Sequence, residues 1–263
     1  IYTGEDTLSL HDALPIFIRE GDLRSFQLMY WIDAATFLLY LSIVLTMRGP
    51  AMKRYVKQEH EPEQGSYRDL LANKPLVLLG LSGIILFTFG YGSITAGVPL
   101  FATQYLDLSP NWLGIIFGVN TLAIVLFQPL VLRTLERFSK YVALISIAVI
   151  WALSWLFVGL SPYLPLIASG IAICISQLIF AFGEMVQAPT IPTLANELSP
   201  EHIRGRTNAW MSLQWSVSGV LGPAITGLLF GAHLEMVWVA TMFCGSFIAI
   251  PLFIAMKRLA AKV

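Results

Sequence analysis

The chain contains 263 residues, of which 56% are hydrophobic and 12% are charged, and its formal net charge is zero. An ordinary soluble domain carries about twice that share of charged residues, so the composition predicts a membrane protein. The balanced charge gives no reason to expect a nucleic acid as partner. No phosphate-binding loop pattern occurs in the sequence, which argues against ATP hydrolysis by this chain.

Seven apolar runs are each long enough to cross a bilayer as a helix, since a spanning helix needs about 20 mostly apolar residues. In chain order they cover 26–47, 76–103, 111–132, 141–160, 164–195, 207–230 and 236–256. We therefore expect an all-α polytopic membrane protein whose main partner is the lipid bilayer.

Nearly all the basic residues lie in alternate connections between these runs. Lysine and arginine occur in 48–75, 133–140, 196–206 and the tail after 256, whereas 104–110, 161–163 and 231–235 contain neither. Since basic connections lie on the cytoplasmic side of a membrane, this alternation orients every helix without contradiction. It predicts a multi-pass inner-membrane protein, with the segment 48–75 and the C-terminus in the cytoplasm.

The pattern divides the chain into four segments. Within 1–16, the run 7–16 reads like a translated sequencing-adaptor oligonucleotide; we expect an artefact there, with a native extracellular loop as the alternative. One helix is expected in 17–47, and the charged, proline-containing stretch 48–75 should be a cytoplasmic linker. A six-helix bundle is expected in 76–263. This order suggests the second half of a truncated twelve-helix protein, with 17–47 as the last helix of a missing N-terminal half.

Three stretches of the sequence carry a family resemblance. The first combines 182–185 with Pro189, Pro192 and 198–206, the second combines 114–120 with 128–129, and the third runs over 215–223 with Gly227. They resemble the tenth, eighth and eleventh helices of major facilitator superfamily transporters, most closely the bacterial twelve-helix drug:proton antiporter branch of multidrug-resistance type. The resemblance covers about 26–256 and implies a carrier whose two six-helix halves rock around a central cavity.

The connection 132–140 departs from the G-x-x-x-D-R-x-G-R-K pattern that this superfamily often has between helices eight and nine. Both glycines are replaced, and only the acid–base pair Glu136 and Arg137 and the basic Lys140 remain. The resemblance implies a gating contact of Glu136 with a neighbouring helix. Arg204 and Arg206, in the next basic connection, either form an ion-pair latch at the inner gate or only anchor their loop on the cytoplasmic side.

Glu184 is the strongest candidate for a functional group. A charged residue near the middle of a membrane helix costs about 2.5–3.5 kcal/mol on insertion scales, so it must face protein or water. Uptake of a proton removes the charge, which is the step that a proton-coupled transporter needs. At 100° per residue, Gln177 lies within about 20° of Glu184 and Gln187 within about 60°, which makes one polar stripe. The stripe predicts proton coupling or substrate contact; a structural hydrogen bond between helices is the alternative.

Further residues extend this candidate site. Pro189 and Pro192 each remove a backbone donor, so we expect a kink or break in the tenth helix with a cavity beside it, or else a static kink that only shapes packing. Other polar side chains at membrane depth are expected either to line the substrate cavity or to join helices by hydrogen bonds; they are Tyr91, Asn120, Gln128 and Gln214.

These features favour a secondary transporter, and within that class proton-driven export of small amphipathic compounds by alternating access. A metabolite uptake symporter or uniporter of the same fold is the alternative, disfavoured because a polar solute needs more fixed hydrogen-bonding groups than this apolar half offers. A membrane-embedded enzyme or sensor is a remote alternative, since no catalytic constellation is visible. The scattered histidines His60, His202 and His233 predict neither a metal site nor a cofactor.

Overall fold

A computed structural model describes residues 23–46 and 65–260 of the chain, and within these ranges every regular element is a helix. The α-helices are α1 (Leu23–Thr46), α2 (Tyr67–Ala72), α3 (Lys74–Phe89), α4 (Tyr91–Leu100), α5 (Asn111–Leu135), α6 (Lys140–Leu160), α7 (Leu166–Leu198), α8 (Arg204–Gly231) and α9 (Glu235–Ala260). A π-helical turn, Phe101–Tyr105, extends α4, and the 3-10 turns Ser161–Tyr163 and Glu201–Ile203 lie beside α7. Six helical segments are long and apolar enough to cross a membrane, which confirms the predicted all-α polytopic bundle.

Parts of the predicted domain organisation lie outside the described residues. These parts are the segment 1–16, expected to derive from an adaptor, and most of the predicted linker, including His60. Helix α1 belongs to a different unit from Gln64–Val263 and is considered by itself. Its apolar part, Tyr30–Thr46, is shorter than the six spanning segments, so the membrane span expected over 26–47 stays a prediction.

Basic connections meet at one end of the bundle. Lys140 at the start of α6 forms an ion pair with Glu197 near the end of α7. The guanidinium carbon of Arg206, in the first turn of α8, lies 5.3 Å from the centre of the Tyr67 ring on α2. The last part of the predicted linker is therefore a short helix held against α8 by a cation–π contact. We call this end of the helices the basic end.

Three fully buried tryptophans organise the core of the bundle. The indole N–H groups of Trp151, Trp155 and Trp238 donate to the carbonyl oxygen of Phe180 at 3.2 Å, the carbonyl oxygen of Phe89 at 2.9 Å and the hydroxyl oxygen of Thr226 at 3.0 Å. An unpaired indole N–H would cost free energy in an apolar core, so these bonds fix the position of each ring. Helix α6, which carries two of them, packs against both α7 and α9.

The first spanning segment is interrupted at Gly90, although the sequence predicts one helix over 76–103. Gly90 has φ −101° and ψ −97°, so α3 ends before it and α4 begins after it. A Cβ atom at this position would lie 2.6 Å from a ring carbon of Trp151. Because glycine has no Cβ atom, it permits both the change of backbone direction and the close approach of the Trp151 indole ring.

Side chains bind the carbonyl groups that the interruption releases. Trp155 Nε1 donates to the carbonyl oxygen of Phe89, and Ser93 Oγ donates at 2.9 Å to that of Thr88. A broken helix is tolerated at membrane depth only where its freed backbone groups find partners within the protein or water. The interruption is therefore a stable feature built by α4 and α6 together.

The two prolines inside α7 do not break it. Helix α7 is continuous over Leu166–Leu198 with Pro189 and Pro192 inside it, so the predicted break was wrong, while a bend there stays a prediction. Pro189 lacks the N–H group that would bond to the carbonyl oxygen of Met185. Gln128 Nε2 on α5 donates to that oxygen at 3.4 Å instead. A tertiary contact thus compensates for part of the cost of the proline.

Replacing Trp155 by phenylalanine should destabilise the bundle by roughly 1–3 kcal/mol, because the buried carbonyl of Phe89 loses its donor. We expect a fall in the thermal unfolding midpoint in detergent, by about 2–4 °C for each kcal/mol lost. The matched control is Trp215→Phe, at an indole that is 47% exposed. Equal shifts for the two variants would contradict a specific role for the Trp155 hydrogen bond.

Candidate functional site: a carboxylate between three helices

Glu184 lies inside the bundle, with only 8% of its surface exposed. The hydroxyl group of Tyr91 on α4 donates a hydrogen bond to Glu184 Oε1. Asn120 Nδ2 on α5 donates to Glu184 Oε2 at 2.5 Å. Both carboxylate oxygens therefore have neutral donors, and the group joins α4, α5 and α7 at one point.

The interruption of the first spanning segment positions the tyrosine donor. Tyr91 is the first residue of α4, directly after Gly90. Its ring packs edge-on against Trp151, Phe180 and Trp215, with ring centres 5.8, 5.6 and 4.9 Å away. These contacts hold the hydroxyl group towards α7, so the local backbone geometry at Gly90 is linked to the position of the carboxylate.

Aromatic rings from α3, α6, α7 and α8 surround the Tyr91 ring, whose hydroxyl group binds the carboxylate. Trp151 stacks on Phe180 with ring centres 4.7 Å apart, and Phe87 stacks on Trp215 at 4.6 Å. Trp215 leaves 47% of its surface exposed, whereas Trp151 is fully buried. No motif in the sequence assigns these rings a role in the site. The spacing of Phe87 and Tyr91 in the sequence predicts that both rings lie on one side, but no signal in the sequence shows that α6, α7 and α8 bring rings to the same place.

No cation neutralises Glu184 among the described residues. They contain the ion pair Lys140–Glu197 and a 4.0 Å contact between His233 Nδ1 and Glu235 Oε1, and both lie at the ends of helices. Neutral donors can hold either protonation state of a carboxyl group, since the protonated form still accepts hydrogen bonds. The arrangement can therefore exchange a proton without first breaking an ion pair.

The predicted polar stripe on α7 is buried, and part of it joins the carboxylate. Gln177 is 1% exposed, and its backbone carbonyl accepts a 3.4 Å hydrogen bond from the same Asn120 amide that binds Glu184. Within the described part of the chain, neither polar atom of the Gln177 side chain has a partner. Gln187 is 7% exposed. The stripe therefore lies within the protein, as expected from the cost of polar groups in lipid.

Two other predicted cavity residues lie elsewhere. Gln128 contacts the backbone of α7 at Met185, so it joins two helices. Gln214 on α8 is 1% exposed, and its amide packs against Gly83 of α3, where a Cβ atom would lie 3.1 Å from Gln214 Nε2. The structure thus joins Tyr91, Asn120 and Glu184 by hydrogen bonds and gives both glutamines other partners.

The predicted gate residues all lie at the basic end. Glu136, Arg137 and Arg204 are exposed, and none of them forms an ion pair within the described ranges. Arg206 instead contacts the Tyr67 ring. The ion pair that does join two helices at this end is Lys140–Glu197, which the sequence analysis did not identify. The gating roles of the four predicted residues stay predictions.

Comparison with known proteins decides the family. The sequence profile of the Major Facilitator Superfamily matches residues 81–262, which is more than half of the chain. The chain belongs to the major facilitator superfamily. Because the chain belongs to this superfamily and has six apolar spans, it is a multi-pass membrane protein of a transporter family.

A curated relative supports the same membership at low identity. The chain is similar to an uncharacterized MFS-type transporter, YttB, of Bacillus subtilis (strain 168), with 23% identity over 156 residues. That match covers 59% of this chain and 37% of the relative, so the chain spans well under half the length of the relative. No solved structure matches the chain significantly.

Proposed function

We propose that residues 76–263 are the C-terminal half of a twelve-helix secondary transporter and that the segment 17–47 contains the last helix of its N-terminal half. The six-helix count, the profile match over 81–262 and the partial coverage of the relative support this proposal. In this arrangement the halves alternate access to a central cavity. The basic end faces the cytoplasm of a bacterium, since basic connections are retained on that side.

Within this carrier, Glu184 is the group that binds and releases the coupling proton. The observation that carries this assignment is its position between Tyr91 and Asn120, buried among helices and without a cation in the described residues. A carboxyl group at membrane depth is expensive to retain, so its presence at a junction of three helices favours a functional role. Exchange of its proton changes the charge at that junction and can bias one state of the carrier over another.

The substrates in this proposal are small amphipathic compounds that leave the cell. The exposed face of Trp215 and the partly buried ring of Tyr91 offer apolar stacking surfaces beside the carboxylate. Few fixed hydrogen-bond donors accompany them, which suits compounds that are recognised by shape and apolar contact. A polar metabolite would find too few hydrogen-bonding groups on these apolar surfaces to replace its hydrogen bonds with water.

The test is proton-driven dye efflux from vesicles that contain the complete transporter, comparing the wild type with Glu184→Gln. The amide retains the size of the side chain and cannot exchange a proton, so efflux driven by a pH gradient should be lost and exchange of dye down its own gradient should persist. Efflux with an unchanged dependence on pH would remove Glu184 from the coupling role.

Glu197→Gln is the matched control for this experiment. Glu197 lies on the same helix, but it is exposed at the basic end and pairs with Lys140. An exposed ion pair of this kind contributes about 0–1 kcal/mol, so its loss should leave coupling intact. If proton-driven efflux fell equally in both variants, α7 would be sensitive to the loss of any carboxylate, and the result would contradict a specific role of Glu184.

A further inference from the structure

A cavity lies between α5 and α6 near the basic end, and residues of α7 line its bottom. Its volume is about 430 Å³, within the range of sites that bind small molecules. Helix α7 packs closely against both neighbours, and Phe182 and Val186 line the bottom of the groove between them. We call this cavity the α5–α6 groove; its other lining residues are Leu130, Val131, Thr134, Leu135, Phe138, Val142, Ala143, Ser146 and Ile150.

The groove offers no free polar group to an occupant. Its hydroxyl side chains are those of Thr134 and Ser146. Thr134 Oγ1 donates at 2.9 Å to the carbonyl oxygen of Leu130, and Ser146 Oγ donates at 2.7 Å to that of Ala143. Both hydroxyl groups are thus used by their own helices. Hydrocarbon is the chemistry that fits such a surface, because a polar ligand would lose its hydrogen bonds to water without replacement.

The length of the groove matches one leaflet of a bilayer. Its lining extends from Leu130 to Leu135 on α5, with Phe138 in the turn that follows, and from Val142 to Ile150 on α6. At 1.5 Å per residue, the α6 wall is about 12 Å long. The hydrocarbon of a single leaflet is about 15 Å thick, half of the core of about 30 Å. A groove of this length at the basic end of the bundle fits within the leaflet on that side.

Positive charge lies at the mouth of the groove. Arg133 and Arg137 are exposed and are the chain neighbours of the lining residues Thr134 and Phe138. Neither arginine has an ion-pair partner within the described residues, and one carboxylate, Glu136, lies between them in the sequence. Two cations against one anion leave this mouth attractive to an anionic head group.

We propose that the α5–α6 groove binds one acyl chain of an anionic phospholipid from the leaflet at the basic end, with the phosphate of the lipid near Arg133 and Arg137. The site is separate from the carboxylate, because Glu184 lies about 200° around α7 from both Phe182 and Val186. The inference therefore does not depend on the proposed role of Glu184. A lipid in this groove would hold α5 and α6 at a fixed separation over α7.

Photo-crosslinking of the full-length protein in phosphatidylcholine vesicles tests this site. The vesicles contain a trace of phosphatidylglycerol with a diazirine on one acyl chain or, in parallel, the same probe with a phosphatidylcholine head group. We expect the groove walls, mapped by peptide analysis, to be labelled more strongly by the anionic probe. Substitution of either arginine by glutamine should lower that labelling about fivefold, which corresponds to about 1 kcal/mol per basic side chain.

Two control pairs separate the groove from the general surface. Ser146→Phe fills the groove and should abolish labelling there, whereas Val149→Phe adds the same ring at an exposed position of α6 outside the lining. Arg258→Gln removes a basic residue from the last turn of α9 and should leave groove labelling unchanged. Three results would each overturn the proposal. They are equal labelling of the groove by both probes, unchanged labelling in Ser146→Phe, and an unlabelled groove beside labelled lipid-facing segments.

Discussion

Replacing Gly222 by valine is expected to separate α4 from α8 and to cost roughly 3 kcal/mol of stability, the upper part of the usual range for overpacking. The ideal Cβ position at Gly222 lies 2.6 Å from the Cα atom and 2.7 Å from the carbonyl oxygen of Gly92. These are backbone atoms, so no side chain can rotate away to make room. Small residues allow such close approach of helices in membranes, and here both partners are glycine.

The matched control for this prediction is Gly219→Val, one turn earlier on the same helix. A Cβ atom there has no heavy atom within 4 Å, so the substitution should change stability by less than about 0.5 kcal/mol. Thermal unfolding of both variants in the same detergent gives the comparison. A midpoint for Gly222→Val equal to that for Gly219→Val would mean that α4 and α8 do not make this backbone contact.

The membrane segments were predictable from the sequence because length and charge decide them. Six of the seven apolar runs coincide with spanning segments, and their ends differ from the predicted ends by a few residues, as at α7. Local composition is sufficient here, since a chain in lipid must satisfy its backbone groups within each helix. The same argument predicts which connections share an end, and the contacts Lys140–Glu197 and Tyr67–Arg206 place basic connections together.

The interruption of a helix was not predictable from local sequence. Proline removes a backbone hydrogen-bond donor wherever it occurs, so the sequence predicted a kink or a break at Pro189 and Pro192. In the structure, the amide of Gln128 compensates from another helix at the first of these prolines. The actual break at Gly90 depends on Trp155, which lies on a helix far away in the sequence. Contacts with side chains of other helices therefore decide both that α7 stays continuous and that the first spanning segment is interrupted.

The candidate site was predictable in part. A polar residue inside an apolar run is rare enough to be noticed, which is how Tyr91, Asn120 and Glu184 were all selected. The same criterion selected Gln128 and Gln214, which the structure places in helix–helix contacts without a hydrogen bond to the carboxylate. Residue type and depth do not tell these two groups apart, because the direction of each side chain depends on the rotation of its helix in the bundle.

Removal of the Tyr91 hydroxyl group should impair the proposed coupling strongly, because the carboxylate then loses one of its two donors. A hydrogen bond to a charged group contributes about 1.5–3 kcal/mol, so we expect Tyr91→Phe to slow proton-driven efflux about tenfold or more. The aromatic contacts of the ring with Trp151, Phe180 and Trp215 should persist in the variant. The initial rate of efflux under a fixed pH gradient measures the effect.

A double-mutant cycle then shows whether the hydroxyl group acts through Glu184. In a Glu184→Gln background, Tyr91→Phe should change the rate of downhill dye exchange by much less than tenfold, since the charged acceptor is already absent. Tyr163→Phe is the matched control, because Tyr163 is 77% exposed at the opposite end of the bundle. If Tyr91→Phe slowed downhill exchange in the glutamine background as much as it slowed proton-driven efflux in the wild type, the hydroxyl group would act on the substrate or on packing. The hydrogen bond between α4 and α7 would then hold the helices together without taking part in proton exchange.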